Sequence, residues 1–200
     1  MLRARVKYLD AVLITHDHND HIIGIDDIRP FNFMAKSKMP VYASKKTAAN
    51  LNERFSYIFA KNPYPGAPMI DLIEVNKAKP FKFQDIDIIP IEAMHGKMPV
   101  MGYRIGDFTY LTDVKTISDQ ELTKAKGSKV LVLNALHRKA HHSHLNLREA
   151  LELVEKIKPQ TTYLIHLSHN MGFHAKVAKE LPENVYIAYD GLTVSISLAQ

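Results

Sequence analysis

The segment His16-Asp17-His18-Asn19-Asp20-His21 places three imidazoles and two carboxylates within six residues. The apolar run Ala11-Val12-Leu13-Ile14 just before it reads as a buried strand. His16 and His18, two apart on extended backbone, point to the same side. The chain then turns into a helix that carries Asp20 and His21 in its first turn. Two adjacent donor clusters on one short turn suit a pair of cations better than a single ion. Imidazole and carboxylate without thiolate suit Zn, Mn or Fe in a hydrolytic site.

Two ions need more donors than this turn supplies. His95 lies just past the strand run Ile86–Ile91, Asp113 follows Phe108-Thr109-Tyr110-Leu111-Thr112, and His166 ends Tyr163-Leu164-Ile165, with His169 close behind. Each alone reads as an ordinary loop or cap residue. Together they fall at strand ends, where rigid backbone can hold side chains at one rim of a sheet.

The chain as a whole agrees with such a site. Eleven histidines in 200 residues form the unusual part of the composition, and several are clustered. The absence of cysteine excludes disulfides, thiolate nucleophiles and Cys-ligated zinc or iron–sulfur centres, and it fits a cytoplasmic protein. No apolar run approaches the roughly 20 residues that cross a bilayer, and Met1–Arg5 is not followed by the apolar stretch of an export signal. A net charge of +5 favours an anionic ligand.

Short apolar runs alternate with amphipathic ones, which predicts one mixed α/β domain over 1–200. His21–Ile28 reads as a helix stopped by Pro30, Val41–Ala43 as a strand, and Lys45–Ala60 as a helix with Leu51, Phe55, Ile58 and Phe59 on one face. Asn62–Gly66 reads as a turn, and Gly102–Thr112 as a hairpin folded at Gly106-Asp107. Ser118–Glu121 has capping-box spacing before a helix ended by Gly127, and Asn146–Glu149 starts a second capped helix. Val130–Leu133 and Thr162–Ile165 read as strands, Phe173–Leu181 as a helix, and Val185–Ala188 and Thr193–Ser197 as closing strands.

The order of these motifs resembles the metallo-β-lactamase-fold hydrolases. It is closest to the branch containing phosphoribosyl cyclic phosphodiesterases and is similar to ribonuclease Z. The match extends through Gly24-Ile25-Asp26-Asp27-Ile28-Arg29, Tyr64-Pro65-Gly66, Leu111-Thr112-Asp113, Ser143-His144-Leu145, Ile165-His166-Leu167-Ser168-His169 and Ala188-Tyr189-Asp190-Gly191. The resemblance implies a four-layer αβ/βα sandwich. It implies that His16, His18 and His95 hold one ion, that Asp20, His21 and His166 hold the second, and that Asp113 bridges them. Two divalent ions per chain, Zn or Mn, would be the cofactors, and a homodimer the assembly. The family normally opens with β-hairpins, whereas only 14 residues precede Thr15. The expectation is therefore an N-terminally shortened sandwich with an exposed sheet edge.

A metal pair sharing a hydroxide lowers its pKa and suits in-line attack on a small phosphodiester of a sugar or nucleotide, cyclic forms included. His144, just before a helix, is the candidate general acid for the leaving oxygen, which makes His144, Asp20 and Asp113 the catalytic set. His169 contacts substrate phosphate or supports His166. Arg29 clamps a phosphate or forms a surface salt bridge, and Asp190 orients a metal-holding imidazole or merely shapes a turn. His137, His141 and His142 read as solvated, His174 as structural, and Phe55, Tyr57, Phe59 and Tyr64 as core or as a roof over the cleft. Lys36, Lys38, Lys45 and Lys46 read as a solvated face, and without a long basic arm no nucleic-acid partner is expected. The competing functions are a ribonuclease Z-like nuclease, a glyoxalase II-like thioester hydrolase, whose thiolate needs no acid at His144, and a truncated non-catalytic remnant.

Overall fold

The computed structural model describes residues 3–196; Met1, Leu2 and 197–200 lie outside the described residues. The chain divides into two compact units, 1–76 and 77–200.

The first unit is built on a three-stranded parallel sheet of β1 (Val12–Leu13), β2 (Met39–Ser44) and β3 (Ile70–Val75), in that order. Between β1 and β2 run α1 (Asn19–Ile22), a 3-10 turn (Ile23–Ile28) and α2 (Arg29–Ala35). Ile22, Ile25 and Ile28 fall inward, as their spacing predicts, and join Val41, Ala43 and Leu51 in one core. Pro30 does not stop the helix but opens α2 from its first turn, where the absent N–H costs no hydrogen bond. The helix expected over Lys45–Ala60 breaks in two, α3 (Lys45–Arg54) and α4 (Ser56–Phe59). The break is at Phe55, whose φ of −111° and ψ of 39° leave the helical region. Ser44 caps α3, accepting from the Thr47 N–H.

The second unit is a seven-stranded mixed sheet. Its strands are β4 (Phe81–Phe83), β5 (Ile86–His95), β6 (Met98–Ile105), β7 (Phe108–Leu111), β8 (Val130–Asn134), β9 (Thr161–Ile165) and β10 (Val185–Ile187). They lie in the order β10-β9-β8-β7-β6-β5-β4. From β4 to β7 neighbours are antiparallel; from β7 to β10 they are parallel. The hairpin at Gly106-Asp107 forms as expected. The strands β3 and β4, and the β5–β6 turn at Gly96-Lys97, go beyond the elements read in the sequence. The helices of this unit are α5 (Asp119–Ala125), α6 (Leu147–Ile157) and α7 (His174–Val177). Leu131, Leu133, Leu164, Ala150 and Ile157 form its core.

Two caps illustrate how local signals are used. Asn146 makes the full capping box at α6, its side chain accepting from the Glu149 N–H while Glu149 accepts from the Asn146 N–H. At α5, Ser118 caps the Glu121 N–H, but the Glu121 carboxylate accepts instead from the Glu92 N–H (2.7 Å) and from Lys124. The helix expected over Phe173–Leu181 is only the four-residue α7. Thr193–Ile196 carry no strand pairing, and Ser197 lies outside the described residues.

This topology positions the candidate donors of the second unit. β5, β7, β8 and β9 all run the same way, so their C-terminal ends share one rim; Leu111 pairs Leu133, which pairs Leu164. His95 ends β5, Asp113 lies two residues past β7, and His166 follows β9 directly. Ligands of open α/β sheets bind at that end of the strands.

Candidate metal centre

In the first unit, β1 runs directly into the donor loop. His16 is fully buried, with the Thr15 hydroxyl 3.1 Å from its Nδ1. The His16 ring lies 4.7 Å from that of His18 and 4.2 Å from that of His21, centroid to centroid. Three imidazoles therefore meet on this turn, and the same-side placement of His16 and His18 extends to His21. Asp20 is exposed, with its Oδ2 3.3 Å from His21 Nε2. Residues 14–18 belong to no strand or helix. Side chains of α3 reach this loop: Asn50 Nδ2 donates to the Asp17 carboxylate, and Arg54 Nη1 donates to the Asp17 carbonyl (2.6 Å) and to Asn19 Oδ1 (3.1 Å). Asn50, Arg54 and Asp17 were not singled out by the sequence; the available signal was the i, i+4 spacing of Asn50 and Arg54 on α3.

In the second unit, Asp113 is the hub. It is buried, its Oδ2 accepts from the Thr112 hydroxyl (2.7 Å), and its Oδ1 lies 3.3 Å from His166 Nε2 and 3.5 Å from His144 Nδ1. His95, Asp113 and His144 each present one donor atom within 4.8 Å of the others. His95 Nδ1 donates to the Ser143 carbonyl at 2.8 Å, which puts the proton on that nitrogen and the lone pair on Nε2. The Ser143 carbonyl is a partner the sequence did not reveal.

Both Asp113 and His166 have left-handed backbone, with φ of 57° and 56°. Such geometry in a non-glycine residue costs on the order of 1–3 kcal/mol and concentrates at functional sites. The two strand-end donors share it.

His144 is buried between the rings of His95 (4.4 Å) and His166 (4.9 Å), and its Nδ1 makes no hydrogen bond. Burial pushes its pKa down to about 4; the Asp113 carboxylate opposes this, while His95, His166 and His141 reinforce it. His141 and His137 are half-buried rather than solvated, and continue the row of imidazoles beside His144. The Ser143 N–H donates to His141 Nδ1 at 3.3 Å. His142 is exposed, as expected.

The remaining candidates have other surroundings. His169 lies on a 3-10 turn and lines a cavity of about 560 Å³ together with His166, Tyr189 and Asp190. His174, expected among core residues, is exposed and lines the same cavity. Asp190 makes no hydrogen bond or ion pair among the described residues; it faces the cavity beside His166. In the first unit, Arg29 donates to the Gly66 carbonyl at 3.2 Å. Tyr57 and Tyr64 are solvent-facing and stacked at 6.4 Å, with the Tyr57 hydroxyl bonded to Asp26 at 2.6 Å. Lys36, Lys38, Lys45 and Lys46 are exposed.

Imidazole nitrogens and carboxylate oxygens converging without thiolate fit divalent ions, and the buried, unbonded His144 Nδ1 marks a place where a polar partner belongs. Two sheets flanked by helices, with such donors on the loops after strands, define a metallo-hydrolase class. Comparison with known proteins agrees. The sequence model of the beta-lactamase superfamily domain matches residues 2–167. The crystal structure of a diphosphatase from the PhnP family is 34% identical, with a TM-score of 0.89 over 98% of this chain and 75% of that one. An octanoyltransferase of Porphyromonas gingivalis is 38% identical over 98% of this chain, which spans only 39% of that relative. The exodeoxyribonuclease WalJ of Streptococcus pneumoniae is 29% identical over 64% of this chain and 45% of its own length. The chain belongs to the beta-lactamase superfamily of metal-dependent hydrolases, in the branch that holds the PhnP-family diphosphatase.

Proposed function

We propose that the two units act as one metallo-hydrolase domain over 1–200, a dinuclear phosphodiesterase for a small sugar or nucleotide phosphodiester. The observation that carries this reading is the strand-end cluster of the second unit, with the Asp113 carboxylate set between His144 and His166. His16, His18 and His95 would hold one divalent ion, Asp20, His21 and His166 the other, with Asp113 serving both. When bound, two Zn or Mn ions supply Lewis acidity, lowering the pKa of water towards neutrality and offsetting the negative charge of a phosphodiester.

The chain's own groups do the rest. The Thr112 hydroxyl fixes one Asp113 oxygen and thereby orients the other. Asp20 lies beside His21 and completes its donor pair. As the oxygen of water bonds to phosphorus and the P–O bond to the leaving group breaks, His144, kept protonated by the negative charge of the bound diester against the burial that lowers its pKa, would hand a ring proton to the departing oxygen and regain one from solvent. Positioned proton transfer of this kind is worth roughly 10²–10⁴-fold. His169 and Arg29 would contact the phosphate. Asp190 and Tyr189 would face the non-reacting part of the substrate in the cavity beside His166. A cytoplasmic location and a homodimer belong to the same proposal; no helix among the described residues is long and apolar enough to cross a membrane.

The test is element analysis of the purified chain with Mn or Zn supplied, followed by hydrolysis of bis-p-nitrophenyl phosphate and of a thioester. About two ions per chain and metal-dependent diester cleavage are expected. A chain that stays empty, or that cleaves only the thioester, overturns the reading. The PhnP-family relative is named a diphosphatase, which favours a phosphoanhydride as second substrate, so a nucleoside diphosphate belongs in the assay. Turnover of single-stranded DNA with steep salt dependence would favour the nuclease alternative suggested by the WalJ relative. Acyl transfer is not carried over, because the chain matches only 39% of the octanoyltransferase.

A further inference from the structure

We infer that Asn50 and Arg54 of α3 are positioning residues that set the geometry of the donor loop from outside it. The inference rests on the reading of that loop as a metal-binding element. The loop needs such support. Between Ile14 and the start of α1 the backbone belongs to no strand or helix, yet it must present His16 and His18 on one side and Asp20 and His21 one turn later. A loop without its own ladder holds its shape through bonds from elsewhere.

Two side chains on one face of α3 supply such bonds. Thr47, Ala48 and Leu51 bury the helix in the core of the first unit, so its axis is fixed. Asn50 and Arg54 are four apart and project one above the other beside that buried stripe. Asn50 holds the side chain of Asp17 and Arg54 holds its carbonyl, so the residue between the two paired histidines is gripped at both ends. Arg54 Nη1 also reaches Asn19 Oδ1. One guanidinium nitrogen thus ties the His16/His18 side of the loop to the Asp20/His21 side and fixes the spacing between the two donor pairs. Asp17 is buried and spends its carboxylate on Asn50, which assigns it to the frame and not to the donors. Ser44, the last residue of β2, caps the other end of α3, so the helix starts directly off the sheet. Loss of partners that orient metal ligands typically costs 10–100-fold in metal affinity.

The experiment compares Arg54→Met, Arg54→Lys and Asn50→Ala with the unaltered chain. Zn and Mn affinity are measured by chelator competition, thermal midpoints on metal-free protein, and kcat and KM on bis-p-nitrophenyl phosphate. Arg54→Met and Asn50→Ala are expected to bind metal 10–100-fold more weakly, with metal-free midpoints close to that of the unaltered chain and kcat reduced more than KM is raised. Arg54→Lys, which keeps the charge and one donor nitrogen, should recover part of the affinity. Should Arg54→Met fail to fold, Asn50→Ala carries the comparison with Asp17→Asn. Undiminished affinity in both Arg54→Met and Asn50→Ala overturns the inference, as does a metal-free midpoint that falls in step with affinity. An unaltered chain that takes up no metal overturns instead the reading of the centre itself.

Discussion

Gly102 packs against β7, the strand that leads into Asp113. It sits in β6 opposite Ile91 of β5. A Cβ built there would lie 2.3 Å from Leu111 Cδ2 and 2.7 Å from the Tyr110 carbonyl oxygen. Ordinary contact requires displacements on the order of 1 Å. Leu111 cannot yield easily, because it is fully buried in the core, and Tyr110 is backbone laddered to Val132 of β8. Overpacking of this kind costs about 1–3 kcal/mol, and an obstruction that includes backbone belongs at the upper end. Against a total stability of about 5–15 kcal/mol, Gly102→Ala should lower the urea midpoint of the metal-free chain clearly. The strain is delivered to β7, whose end leads into Thr112 and Asp113, so metal affinity should fall as well. A displacement near 1 Å at a reacting group is worth about 10²-fold in rate. Leu111→Ala in the same chain opens room for the new methyl, so the double variant should be less destabilised than the sum of the two singles. Unfolding at the unaltered urea midpoint, or strict additivity with Leu111→Ala, would refute the reasoning.

Three further outcomes follow from the site and its surroundings. Asp113→Ala should lose bound metal and diester hydrolysis together, read by element analysis and turnover; retention of both ions would end its bridging role. His144→Ala should lower turnover by roughly 10²–10⁴-fold with metal content intact, and undiminished turnover would remove it as the proton donor. Burial would by itself raise the Glu149 carboxyl, but the Lys115 ammonium at 2.8 Å and the bond from the Asn146 N–H outweigh it and hold the pKa below its usual 4.5. Because the folded-state pKa is depressed, this contribution is fully present above the unfolded value and is lost as the pH falls through the lower, folded one. Glu149→Gln should therefore flatten the acid side of a stability–pH profile, and a curve that keeps its slope would show that another carboxyl sets it.

What could be read from the sequence was what depends on neighbours in the chain. The donor turn after β1 is legible because His16, His18, Asp20 and His21 are fixed by local spacing, and the capping box at Asn146 and the turn at Gly106-Asp107 are local in the same sense. Asp113 and His166 could be placed at strand ends, but their shared left-handed backbone leaves no mark in residue type. Where partners come from afar, the reading failed. Glu121 has the spacing of a capping-box acid, yet the Glu92 N–H and Lys124 claim its carboxylate. The Lys45–Ala60 periodicity is continuous, and nothing in it marks the break at Phe55. His141 is a surface residue by sequence and a neighbour of His144 in space, because the loop before α6 folds back on itself. Asn50 and Arg54 are unremarkable helix residues until the donor loop is set beside them.

The left-handed turns at Asp113 and His166 bear on how this protein can change. Glycine is the residue that relaxes such a conformation, by on the order of 1 kcal/mol. A search for hardier variants guided by backbone comfort alone would therefore favour glycine at both positions and would erase two of the proposed donors. Robustness and chemistry pull apart at these two residues, so tolerance to heat gained there would come with an inert protein.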